Sequence, residues 1–101
     1  MELKISKAAQ VDIRGVANYY IEKDLPAQAE EFLLKLKESL AIIRTHPEIG
    51  SLRFLDIIKN KQIRYFVLSK YNYYVFYEVV KKEIKIIRIL NSKRDIFKIL
   101  G

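Results

Sequence analysis

The first residues alternate, with Leu3 and Ile5 set against Glu2, Lys4 and Ser6, a pattern that predicts a short strand. At Ser6, a suitable N-cap, the period lengthens. Ala9, Ile13, Val16, Ala17 and Tyr20 then form one stripe down a helix that ends near Lys23–Asp24. Pro26 suits the first turn of a second helix, where a missing N–H is harmless. There Ala29, Phe32, Leu33, Leu36, Leu40 and Ile43 recur at three and four residues, with Glu30, Lys37, Glu38 and Arg44 on the other faces. His46-Pro47 closes this helix, because the residue before proline is pushed out of the α region. So short a connection folds the two helices back as an antiparallel hairpin.

Beyond Gly50 the residue types become those of strands. Ile63–Ser69, Tyr71–Val80 and Ile84–Leu90 are β-branched and aromatic, separated by the polar breaks at 70–72 and 81–83, and predict an antiparallel three-stranded meander. Tyr73, Val75, Tyr77 and Val79 share one face, and Tyr74, Phe76 and Val80 the other. Both faces are thus largely apolar, so the helical hairpin should cover one and something else part of the other. Residues 51–60 fit no single pattern, and Asp95–Leu100 suits either a last turn of helix or a tail. The predicted architecture is β-α-α-β-β-β, an α+β domain occupying residues 1–101 as one unit.

Composition narrows the chemistry. With no cysteine there is no disulfide, no thiolate nucleophile and no cysteine zinc site. His46 is the only histidine, so no two-histidine catalysis or metal site is available, and beside a helix stop it reads as exposed or structural. Phosphate-loop, dinucleotide, hydrolase-elbow and zincin motifs are all missing, and Asp12, Asp24 and Asp56 stand apart with no evident pairing. No cofactor and no metal are expected. No apolar run approaches the ~20 residues of a membrane span, and MELKISK lacks a signal-peptide core, which predicts a cytoplasmic protein.

The formal net charge is +7, and it is unevenly placed. Residues 1–50 carry 7 basic and 8 acidic side chains, whereas residues 51–101 carry 12 basic and 4 acidic. Such asymmetry points to an anionic partner, either nucleic acid or an acidic protein. Arg53, Lys59, Lys61, Arg64, Lys70, Arg88, Lys93, Arg94 and Lys98 supply the excess, with tyrosines interleaved. Arg64 and Arg88 are the most informative. Both lie inside apolar strand runs, where a guanidinium needs a carboxylate, a carbonyl or a ligand.

Several tracts in this order resemble the RelE/ParE superfamily of toxins from bacterial type II toxin–antitoxin pairs. They are AAQVDIRGVANYYIEKDLPAQAEEFLLKLKESLAIIRTHPEIGS, IRYFVLSKYNYYVFYEV and IKIIRILNSKRDIFKIL, together spanning about residues 3–100. The resemblance implies the same β-α-α-β-β-β fold and a cognate antitoxin whose acidic, partly disordered segment folds on the toxin in a hetero-oligomer.

Two activities divide that superfamily. In RelE-like members, which cut mRNA on the ribosome, basic residues stand where this sequence has Lys59, Lys61, Arg64 and Arg94. Arg64 and Arg94 would then stabilise phosphate and Lys59 or Lys61 would transfer protons. The C-terminal tyrosine or histidine of that scheme is missing, since DIFKILG offers only Phe97 and Leu100. ParE-like members bind DNA gyrase instead, and the long helical hairpin, the P-x-x-G junction and the R-I-L-x-x-x-R-D ending resemble them more closely. Asn91 replaces the histidine often found in that ending. The ParE-like reading is therefore preferred, with Arg64, Arg88 and Arg94 as partner-binding candidates. An RNA-cutting toxin is the alternative, and an inactive antitoxin-binding member the third.

Overall fold

Ser6 makes the first change of direction in the computed structural model, which describes residues 1–52, 62–68 and 70–100, the side chain of Phe97 excepted. Strand β1 (Glu2–Ile5) ends there and helix α1 (Lys7–Glu22) begins. The Ser6 hydroxyl accepts the Ala9 N–H at 3.0 Å as an N-cap and donates to the Ile87 carbonyl at 2.7 Å, so one side chain both starts the helix and ties it to the sheet. Helix α1 stops with Asp24 in the left-handed region at φ 58°, the Leu25 N–H reaching back to the Tyr20 carbonyl and the Asp24 N–H to that of Ile21. This is the Schellman closure, with aspartate in the place glycine usually takes. Pro26 opens helix α2 (Pro26–Thr45), and His46 caps its end.

The three remaining strands are β2 (Arg64–Leu68), β3 (Tyr73–Val80) and β4 (Glu83–Asn91), and they form the expected antiparallel meander. The sheet order is β1-β4-β3-β2. Strand β1, whose neighbour the sequence does not specify, joins β4 in parallel, with Leu3 opposite Ile84 and Ile5 opposite Ile86. Residues 53–60 of the ambiguous stretch lie outside the described residues, but Ser51 forms an isolated antiparallel bridge with Tyr65.

Alternation along β3 divides the interior as its sequence suggests. Val75 and Tyr77 face the hairpin and pack with Ala9, Val16, Phe32, Leu36 and Ile43. Phe76 turns to the opposite side, where Ile63, Leu90 and Ile96 join it with Tyr65, Tyr74, Ile99 and Leu100 around them. The last residues are a helix, α3 (Ile96–Leu100), and not a tail: Ile96, Ile99 and Leu100 cover the second apolar face of the sheet. One expected core position is corrected. Leu33 is 42% exposed, and Ser39 is buried in the stripe, its hydroxyl donating to the Lys35 carbonyl.

Buried phenols make the fold sensitive to alkali. Burial raises the pKa of Tyr77, Tyr71 and Tyr20 above the ordinary value of about 10. A raised folded-state value means that the stabilisation is complete below the ordinary phenol pKa and is lost as pH rises through the raised one. Tyrosinate absorbance is therefore expected to show part of the 7 tyrosines ionising only together with the loss of circular dichroism. Ionisation of all of them near the ordinary value, with the fold intact, would contradict the burial.

Candidate functional site

Arg64 opens β2, and its guanidinium reaches back to the end of the helical hairpin. Nη1 donates to the Gly50 carbonyl at 2.9 Å and to the Glu48 carbonyl at 3.1 Å. Tyr77, the β3 residue opposite Arg64, completes the arrangement. Its hydroxyl donates to the Pro47 carbonyl at 2.7 Å and accepts the Gly50 N–H at 2.8 Å. The Pro47–Gly50 junction is thus held by two side chains from the sheet, which satisfy backbone groups that lie outside any helix or strand ladder. Arg64 meets carbonyls, one of the three partners its sequence context required.

Arg88 meets a carboxylate. Its Nε and Nη2 donate to Asp12 Oδ2 and Oδ1 at 2.8 and 2.9 Å, a two-point contact between β4 and α1. Asp12 Oδ2 also accepts the Ile89 N–H at 2.9 Å. The reason lies in where β1 ends. Its pairing with β4 stops at Ile5–Ile86, and beyond it the outward backbone groups of β4 need other partners. Ser6 takes the Ile87 carbonyl and Asp12 takes the Ile89 N–H, so the start of α1 continues the edge that β1 leaves. A register shift between Phe76 and Tyr77 accompanies this, with Phe76 opposite Arg88 and Tyr77 opposite Ile86. Hydrogen bonding to Asp12 raises the Arg88 pKa further, so its charge is permanent. Asp12, which showed no evident partner along the chain, is the partner of Arg88 that sequence reasoning missed. Nothing local signals it, because the two residues are 76 positions apart.

Arg94 differs from both. It follows β4 in an exposed turn, its N–H bonded to the Asn91 carbonyl, and among the described residues its guanidinium meets no carboxylate. It lines a groove of about 290 Å³ between α1 and the end of β4. A second groove of about 360 Å³ runs between α2 and β2, walled by Ile42, Phe66, Val67 and Leu68. The cations of that second groove are already paired, Lys35 with Glu38 at 3.7 Å and Lys70 with Glu31, whose carboxyl is lowered chiefly by the hydrogen bond from Lys70. The three candidate arginines therefore have separate surroundings: Arg64 at the Pro47–Gly50 junction, Arg88 against Asp12, and Arg94 at the α1 groove. Lys59 and Lys61 lie outside the described residues.

Among the described residues, no helix is long and apolar enough to cross a membrane. Residues 3–96 match the family model for the ParE toxin of the type II toxin–antitoxin system parDE. The chain belongs to the ParE toxin family. It is accordingly the toxin of a toxin–antitoxin pair, and a cognate antitoxin is its partner. A solved structure described as the chromosomal ParDE toxin–antitoxin system from P. aeruginosa shares the fold, with a TM-score of 0.75 at 22% identity over 90% of this chain and 95% of the other. Comparison with curated protein sequences returns no match. For this ParE-family chain, the P-x-x-G junction and the arginine opening β2 form one structural unit, and the closing R-I-L begins with the arginine that holds α1.

Proposed function

We propose that this toxin acts by binding DNA gyrase and blocking its cycle, not by cutting RNA. The observation that carries this reading is the use made of Arg64. An RNA-cutting site would turn its guanidinium to a phosphate, whereas here Nη1 is directed at the Pro47–Gly50 junction, donating to the carbonyls of Glu48 and Gly50. Phe97 and Leu100 in the C-terminal segment have no proton to give. Exposed apolar side chains such as Tyr19, Ile21, Leu34 and Ile42 on the two helices suit contact with a protein.

The purified protein is expected to inhibit gyrase supercoiling, or to trap cleaved DNA complexes, while leaving ribosome-bound mRNA intact. Position-specific mRNA cuts on ribosomes with gyrase unaffected would replace this reading by RNA cleavage. Silence in both assays, with no slowing of growth on expression, would leave an inactive member that binds only its antitoxin.

A further inference from the structure

Strand β2 forms one edge of the sheet, and only part of that edge is covered. The Ser51 N–H donates to the Tyr65 carbonyl and the Tyr65 N–H to the Ser51 carbonyl, both at 2.9 Å. The backbone groups of Tyr65 therefore point away from β3. Alternation along an antiparallel ladder turns those of Val67, two residues on, the same way. Among the described residues no hydrogen bond reaches the Val67 N–H or carbonyl from outside the sheet, and Val67 is 45% exposed. Beside this open position runs the groove of about 360 Å³, which Ile42 of α2, 40% exposed, lines together with Phe66.

We propose that this edge seats an extended, uncharged segment of gyrase, which adds to the sheet at Val67 as a short strand. The inference rests on the gyrase reading and names the toxin surface that carries it. The backbone selects the element. An open N–H and carbonyl on a sheet edge are met by another extended chain, whereas a helix has its own backbone groups bonded internally. Alternation then places the side chains of the added strand. The residue opposite Val67 packs on its exposed side chain, and the neighbours of that residue turn to the helix side, where Phe66 and Ile42 line the groove. Charge selects the partner. Lys35 pairs with Glu38 and Lys70 with Glu31, so among the described residues the groove offers no unpaired cation to an acidic antitoxin segment. An uncharged chain enters without breaking either pair. A second copy of this chain brings only the same half-covered edge. On a two-fold axis through Val67 its ladder would run into the Ser51–Tyr65 bridge.

The test compares wild type, Val67→Thr, Val67→Pro and Ile42→Asp in supercoiling assays with intact gyrase, and titrates the cognate antitoxin into each by calorimetry. An edge strand tolerates proline where the N–H faces outward, so circular dichroism should show all four folded. Val67→Pro removes the donor and is expected to raise the concentration for half-inhibition about tenfold or more. Val67→Thr keeps the donor and should stay within about twofold of wild type. Ile42→Asp leaves the edge intact but puts a carboxylate in the groove, and should lose about tenfold. Antitoxin affinity should not change in Val67→Pro. Wild-type inhibition by folded Val67→Pro, or by Ile42→Asp, would overturn the proposal, and Ile42→Asp alone decides if the proline variant unfolds. Loss of antitoxin binding in Val67→Pro would overturn it too, by making the antitoxin the occupant. So would a free toxin that is dimeric and becomes monomeric in Val67→Pro, since a second copy would then pair there. A wild type without effect on gyrase would overturn the reading beneath, an outcome that only the wild-type arm reports.

Discussion

Asp12→Ala is expected to destabilise the fold by about 3 kcal/mol, near the lower end for breaking a buried ion pair. In a domain of this size that lowers the thermal midpoint by about 12–24 °C. The side chains of Asp12 and Arg88 are only 11% and 25% exposed, so removing the carboxylate leaves a largely desolvated guanidinium and an orphaned Ile89 N–H. The partial exposure of Arg88 keeps the loss from being larger. Arg88→Met should be milder, because Asp12 can still accept the Ile89 N–H. The double variant should lose much less than the sum of the two. A cycle measured by thermal or urea unfolding checks this, and strict additivity would show that the pair does not act as a unit. Loss of growth inhibition in Asp12→Ala should then follow the folded fraction, because Arg88 is a structural tie between α1 and β4.

Gly50→Ala carries the second large effect. A Cβ there would lie 2.6 Å from the Tyr77 hydroxyl oxygen, 2.8 Å from Tyr77 Cε1 and 2.9 Å from Arg64 Cβ. Tyr77 is fully buried between the sheet and the hairpin, so its ring has nowhere to go. Either the junction moves, and loses the Tyr77 and Arg64 hydrogen bonds with it, or the core is overpacked. The combined loss is about 3 kcal/mol. Tyr77→Phe keeps the ring and removes only the hydroxyl, leaving the buried Gly50 N–H without its acceptor, for about 1–3 kcal/mol. Because that change also removes the closest clash, Gly50→Ala combined with Tyr77→Phe should be less than additive. Wild-type urea stability in Gly50→Ala would refute the close approach.

These two sites show why some of the molecule was legible along the chain and some was not. The N-cap at Ser6, proline in the first turn of α2 and the stop at His46-Pro47 act through neighbours one to four residues away, and each occurs where its local chemistry places it. The β-branched and aromatic runs became the meander for the same reason. Leu33 fell outside the core because a periodic stripe defines a helix face without defining how wide the covering surface is. The need of Arg64 and Arg88 for partners was legible from the cost of burying a charge. Which partner each took was not, and Asp12 stood apart along the chain for the same reason.

The sequence by itself determined the β-α-α-β-β-β elements and their order, the concentration of positive charge in the second half, and the motifs that resemble the RelE/ParE superfamily. These depend on periodicity, turn chemistry and composition, all of which are short-range or additive. Only the tertiary structure decided that β1 pairs in parallel with β4, that α3 covers the second face of the sheet, and that two arginines support the fold while Arg94 stays at a groove. Those outcomes depend on groups far apart in the chain meeting at hydrogen-bonding distance. The geometry that brings Asp12 to Arg88 exists only once helix and sheet have packed.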